Sequence, residues 1–257
     1  MRNTLREKLE NGEILLGTQP FLGSKEAMEI LGALGYDFVF ICAEHPAVGT
    51  ERMFDLVKYC EWAGTPALVR LPIYDPTYTK KVLDGGVSGV LFPMIKDVSD
   101  AEKAMDLCLY PPNGKRGFGP MSAVRWGLDD ETAFVQKNAE RTVRMIQIEH
   151  IGAVECIDKL AENPWIDAFI FGPNDLAASM GHINDMYHPA VQKAIRKAVK
   201  VLSLHNKRFG VSLACTDAKK IAIWKDMGMN IFSIGADFGF LRDGALAMKA
   251  ELKSLLK

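Results

Sequence analysis

No stretch of these 257 residues approaches the ~20 consecutive apolar residues of a membrane span. The opening segment, Met1 to Glu10, is charged throughout and lacks the apolar run of a signal peptide, so a cytoplasmic location is expected. Charge of one sign is also missing: 31 Lys and Arg against 32 Asp and Glu leave a formal net charge of -1. That balance excludes the basic footprint with which proteins neutralise nucleic-acid phosphates or dock on anionic lipid. The expected partner is a small molecule. Cysteines number five (Cys42, Cys60, Cys108, Cys156 and Cys215), are widely scattered, and show no Cys-x-x-Cys spacing of a zinc or redox site. Reduced, mostly buried thiols follow, and Cys42 has no His at a spacing that would make it a nucleophile. Repeats, linkers and low-complexity tracts are absent as well. The Gly-rich run Gly114-Lys-Arg116-Gly-Phe-Gly119 lacks phosphate-loop spacing, and no strand leads directly into it.

What is present is 48% hydrophobic and 25% charged residues, enough for a sizeable soluble core. Short apolar, β-rich runs recur at 14–19, 38–42, 67–71, 89–92, 143–148, 168–171, 209–213 and 231–234. Several are apolar at nearly every position, as strands buried on both faces must be. Between them, helical periodicity appears at 26–34, 51–62, 76–83, 101–107, 153–161, 189–205, 218–227 and 241–256. Eight strands alternating with eight helices over this length favour one domain, residues 1–257, folded as an α/β (β/α)₈ TIM barrel rather than an open doubly wound sheet. The irregular stretch is 110–141, rich in Gly and Pro at its start, with a short helix expected near 130–136. A loop this long inside a compact barrel points to function.

Barrel chemistry is built on the loops after the strand C-termini, so a charged residue ending an apolar strand is the signal to seek. Four strands supply one: Cys42-Ala-Glu44-His45, Arg70, Gln147-Ile-Glu149-His150 and Gly172-Pro-Asn-Asp175. Glu149 and Asp175 come from neighbouring strands, and two oxygen ligands without a Cys or His cluster suit Mg²⁺ or Mn²⁺, with Co²⁺ or Zn²⁺ as substitutes. Each acid can instead cap the helix that follows, and taken singly Asp175 is more often a cap than a ligand; taken together, the pair tilts toward a metal. The turn Gly172-Pro173-Asn174-Asp175 can offer backbone N–H groups to a carboxylate, or serve only as a tight strand-to-helix turn. Arg70 needs an anion, and Glu44 and a substrate oxygen are equal candidates. His45 in the loop after the second strand can work as a general base if a carboxylate orients it, with Asp84 the candidate partner.

These residues resemble those of the HpcH/HpaI aldolase family of metal-dependent class II pyruvate aldolases. The shared segments are Glu44-His45, Arg70 with Pro72 and Asp75-Pro76, Pro93-Met94, Tyr110-Pro-Pro-x-Gly-x-Arg-Gly-x-Gly119, Gln147-Ile-Glu149, and Gly172-Pro-x-Asp175-Leu with Met180-Gly181. They run in family order along nearly the whole chain. The resemblance implies a barrel of the phosphoenolpyruvate/pyruvate-type superfamily, with Glu149 and Asp175 as metal ligands. It also implies Gln147 and the Gly172, Pro173, Asn174, Asp175 turn at the keto-acid site, Arg70 at the keto oxygen, and a His45–Asp84 pair in proton transfer. It implies homo-oligomers, trimers or hexamers, with active sites near subunit boundaries. The sequence departs from the family pattern at Cys42, where relatives commonly carry Asp, and at His150, where Thr is common.

The expected activity is reversible cleavage of a 4-hydroxy-2-keto acid to pyruvate and an aldehyde through a metal-stabilised enolate. The alternatives are a related carbon-carbon lyase, of the citramalyl- or malyl-CoA lyase type or an oxaloacetate decarboxylase, and a non-catalytic barrel that binds a small acid.

Overall fold

Eight parallel strands close on themselves in chain order in the computed structural model, which describes residues 4–73, 75–215 and 217–256. They are β1 (Leu15–Gln19), β2 (Phe38–Cys42), β3 (Ala67–Arg70), β4 (Gly89–Phe92), β5 (Val143–Ile148), β6 (Ala168–Phe171), β7 (Arg208–Leu213) and β8 (Ile231–Ala236). Each strand expected from the sequence is present, with ends shifted by no more than two residues. The fold is the (β/α)₈ barrel.

Alternation along each strand sorts the side chains into two layers. Phe38, Phe40 and Cys42 of β2, Leu68 of β3, Leu91 of β4, Val143 and Met145 of β5, and Ala168 and Ile170 of β6 fill the barrel interior. Their neighbours Val39, Ile41, Val69, Val90, Phe92, Ile146, Ile148, Phe169 and Phe171 pack outward against the helices. Continuing the inward set by steps of two leads from Leu68 to Arg70, and from Met145 to Gln147 and Glu149. The upper end of an apolar interior thus turns polar, and all three of these side chains are buried.

The lower end is sealed by a helix that the sequence pattern did not reveal. Thr4–Glu10 directs Leu5 and Leu9, one turn apart, into the interior cluster. Arg6 fastens it, with its two terminal nitrogens 2.7 and 2.8 Å from the Asp167 carboxylate oxygens and one of them 2.8 Å from the Thr142 carbonyl. Seven residues are too few for periodicity to register, and the same holds for Pro173–Ser179 after β6. The helix expected at 153–161 is two pieces, Ile151–Glu155 and Ile157–Glu162, and 218–227 is a 3₁₀ turn, Ala218–Ile221, followed by Ala222–Asp226.

The stretch at 110–141 carries a kinked 3₁₀ segment, Ser122–Gly127, and the short helices Glu131–Gln136 and Asn138–Arg141. Its anchor is Arg116, buried against the Tyr110 ring with the guanidinium carbon 4.6 Å from the centroid.

The final helix, Asp237–Leu255, runs 19 residues, yet the residues it buries are Asp237 and Gly239. Phe238, Phe240, Leu241, Leu246, Met248, Leu252 and Leu255 are exposed. Beside its root lies an apolar groove of about 380 Å³ lined by Leu16, Tyr36, Ile221, Phe232, Ile234 and Phe240, among others.

Candidate active site

Register brings the first pair together. Cys42 and Arg70 are direct partners across β2 and β3, and both side chains point inward. Arg70 Nη2 donates to Cys42 Sγ at 2.9 Å and to His45 Nδ1 at 2.8 Å. Its Nε lies 3.1 Å from Glu44 Oε2, an ion pair whose alignment falls short of a hydrogen bond. The guanidinium is also stacked 5.4 Å from the Phe40 ring centroid. Of the two anions open to Arg70 on sequence grounds, Glu44 is therefore the one in place. The ion pair is incompletely buried, because Glu44 retains 19% of its side-chain exposure.

Arg70 can only donate, so His45 Nδ1 must be the acceptor and the neutral ring carries its proton on Nε2. That nitrogen is 3.7 Å from Glu44 Oε2. Burial pushes the Glu44 carboxyl above its ordinary range, opposed by the Arg70 charge and by His45 and aided by Asp175. Glu44 is the residue whose place in this cluster sequence reasoning undervalued, since it read only as a partner for Arg70. Its position immediately before His45 was the available signal.

Asp84 does not orient His45 within the chain. Arg116 Nη2 donates to Asp84 Oδ1 at 2.7 Å and Lys80 Nζ to Oδ2 at 2.9 Å. Arg116 Nη1 continues to Asn138 Oδ1 at 2.8 Å, tying the helix Pro76–Asp84 to the 110–141 stretch. Within one chain the buried Arg116 guanidinium needs a carboxylate, and Asp84 is the one it meets.

At the same end of the barrel, Glu149 stands just past β5 and is 4% exposed. Its Oε1 accepts from the Met94 N–H at 2.5 Å. Met94 adopts a φ of 56°, a conformation that L residues seldom take, and this turn aims the N–H at the carboxylate. Burial raises the Glu149 pKa to about 7, against the Met94 hydrogen bond; the Asp175 and Glu44 carboxylates raise it further and Arg70 lowers it. Neither Glu149 nor Asp175 caps a helix through its side chain. His150 Nδ1 accepts from Gly152 N at the start of Ile151–Glu155, and Pro173–Ser179 begins without a side-chain cap, with Asp175 in its first turn.

Gly172 belongs to this rim by exclusion of a side chain. A Cβ there would lie 2.7 Å from Gln147 Nε2 and 2.9 Å from Glu149 Oε2. Pro173 is buried behind it, while Asn174 and Asp175 face solvent. Gln147 Oε1 is buried with no hydrogen-bond partner among the described residues, an arrangement that costs about 1–3 kcal/mol unless something binds there.

These residues fit a divalent cation. Glu149 is a desolvated carboxylate repelled by two others, which a cation would relieve, and Asp175 and the vacant acceptor of Gln147 supply further oxygen. Among the described residues no group of three or more His, Cys, Asp or Glu is set to hold a metal. A cation held there would draw on Glu149 and Asp175, with water and substrate oxygens completing its shell.

The sequence matches the HpcH/HpaI aldolase/citrate lyase family over residues 21–243. It is 28% identical over 241 residues to a 5-keto-4-deoxy-D-glucarate aldolase of Shigella dysenteriae, with 93% of each chain covered. Among solved structures it resembles an HpcH/HpaI aldolase/citrate lyase family protein from Burkholderia cenocepacia, with a TM-score of 0.91, 27% identity, and 98% and 99% of the two chains covered. It also resembles an HpcH/HpaI aldolase from Desulfitobacterium hafniense, with a TM-score of 0.89, 28% identity, and 97% and 96% covered.

Proposed function

The chain belongs to the HpcH/HpaI aldolase/citrate lyase family and is a carbon-carbon lyase of the class II aldolase type, and from that premise we propose its substrate and the roles of its residues. The substrate is a 4-hydroxy-2-keto acid of the sugar-acid kind, and the products are pyruvate and an aldehyde. The observation that carries this reading is Glu149, a buried carboxylate held near neutrality beside Asp175, Gln147 and Gly172 and facing the Arg70 charge.

Glu149 and Asp175 would hold the divalent ion, Mg²⁺ or Mn²⁺, which when bound supplies a Lewis acid toward the keto acid. Gln147 and the N–H groups of Asn174 and Asp175 receive the carboxylate end, since Pro173 has no N–H and that of Gly172 donates to the Ile148 carbonyl at 3.1 Å, and Gly172 serves by leaving the space open. Arg70 directs positive charge at the oxygen that gains negative charge as the C3–C4 bond breaks. The 4-hydroxyl proton must leave in the same step. His45 presents Nε2–H and so holds a water or the hydroxyl itself, while Glu44, 3.7 Å from that nitrogen, is a carboxylate able to accept the proton. The electron pair of the broken bond passes into the pyruvate enolate, which takes up a proton at C3.

The exposed apolar residues of Asp237–Leu255 and the apolar groove at its root support a homo-oligomer, a trimer or hexamer, in which copies of the chain cover both. Among the described residues no helix is long and apolar enough to cross a membrane, and the near-neutral charge supports a cytoplasmic enzyme.

The test is pyruvate release from a panel of 4-hydroxy-2-keto acids that includes 5-keto-4-deoxy-D-glucarate, with citramalyl-CoA, malyl-CoA and oxaloacetate as rivals, each with and without chelator. Chelator-sensitive pyruvate from a hydroxy-keto acid is the expected result. Full activity after complete metal removal, or turnover confined to the CoA esters or oxaloacetate, would reject the assignment.

A further inference from the structure

Cys42 is not a filler like the other buried thiols. Cys60 and Cys108 sit in the apolar layer between strands and helices, where burial pushes both thiols up. Cys42 instead faces the barrel interior at its polar end, 1% exposed, and three N–H donors converge on its sulfur. They are Arg70 Nη2 at 2.9 Å, His45 N at 3.3 Å and Glu44 N at 3.4 Å. The last two are consecutive backbone groups of the loop after β2, so one sulfur ties the turn that carries Glu44 and His45 to the guanidinium on β3. The same Nη2 that reaches Cys42 also reaches His45 Nδ1.

From this geometry we infer that Cys42 is a positioning residue for the reaction. It acts through Arg70, whose placement decides which nitrogen of His45 carries the proton. With Nη2 held between Cys42 Sγ and His45 Nδ1, the imidazole is confined to the Nε2–H tautomer, and Nε2–H is directed toward the substrate side beside Glu44. Without an acceptor at position 42, Arg70 loses one of two fixed partners on that nitrogen and the loop loses both backbone anchors. His45 is then free to take the other tautomer. The inference rests on the proposed aldol chemistry for its kinetic consequence, but its structural consequence is independent of any substrate.

The experiment compares the wild-type protein with Cys42→Ala and Cys42→Ser. Side-chain ¹⁵N NMR reports the tautomer, with His45→Asn assigning the resonance among the five histidines. Steady-state kinetics supply the second readout. In Cys42→Ala, His45 is expected to lose its single Nε2–H form, and kcat to fall by up to about 10²-fold with little change in KM, the scale of a misplaced catalytic group. Cys42→Ser keeps an acceptor at the same position and is expected to restore both the tautomer and most of kcat. An unchanged tautomer in a folded Cys42→Ala protein would overturn the inference, whatever the activity. So would wild-type kcat in that variant, or a Ser variant no better than Ala. If the wild-type protein turned over no keto acid, the aldolase reading would fail while the tautomer measurement still decided the role of Cys42.

Discussion

Replacing Glu149 with Gln separates what this carboxylate does for metal binding from what it does to the fold. In the metal-free protein the pKa rises from 4.5 to about 7, chiefly through burial. At 1.36 kcal/mol per unit, this is a penalty of order 3 kcal/mol for keeping the carboxylate ionised in the folded state. The sign follows from proton binding. Between pH 4.5 and 7 the folded state holds more protons at this site than the unfolded chain, so rising pH destabilises the fold across that window. Below it both states are protonated and the penalty vanishes; above pH 7 it is fully present. Glu149→Gln keeps an acceptor for the Met94 N–H but cannot ionise. In the presence of chelator it should therefore exceed wild type in stability at pH 8 by up to about 3 kcal/mol, with the difference disappearing near pH 4.5. Denaturant unfolding followed by circular dichroism across this range measures it. Adding Mn²⁺ should restore wild-type stability and leave the variant unchanged, because the cation binds the native carboxylate. Parallel pH profiles for the two chelated proteins would refute the burial argument, and Mn²⁺ stabilising both equally would refute Glu149 as a ligand.

Arg70→Ala should lower kcat by about 10²–10³-fold while Mn²⁺ affinity by calorimetry stays near wild type; a matching loss of metal affinity would place Arg70 in the metal site instead. Gly172→Ala puts a methyl group 2.7 Å from Gln147 Nε2 and 2.9 Å from Glu149 Oε2, and should weaken Mn²⁺ binding by about 10–100-fold, with unchanged affinity as the refuting result. Arg116→Ala removes the buried partner of Asp84 and should destabilise the fold by about 3–5 kcal/mol, with faster hydrogen exchange across 110–141. A loss below about 1 kcal/mol would show the pair to be no stronger than a surface ion pair.

Much of this molecule is local, and so was legible in the sequence. The strands are apolar on both faces because helices and interior cover both, and that composition marks them without reference to neighbours. The positions of Arg70, Gln147, Glu149 and Asp175 at strand ends were legible for the same reason, since a charge that ends an apolar run must lie at the rim. Short elements were not: Thr4–Glu10 and Pro173–Ser179 have only two turns each, and Thr4–Glu10 exists to fill the floor that eight strands leave open. Whether Glu149 and Asp175 cap helices or face each other was undecidable from order alone. Only the tertiary structure leaves both acids without a capping role and sets the Asp175 charge near enough to raise the Glu149 pKa. Asp84 shows the reverse case, a carboxylate whose partner Arg116, 32 residues further along the chain, no sequence spacing announces. Pairing among charges depends on which desolvated group is nearest, a distance that chain order does not contain. Cys42 carries the same lesson: its sequence neighbours describe a small buried side chain, and only strand register sets the Arg70 guanidinium against its sulfur.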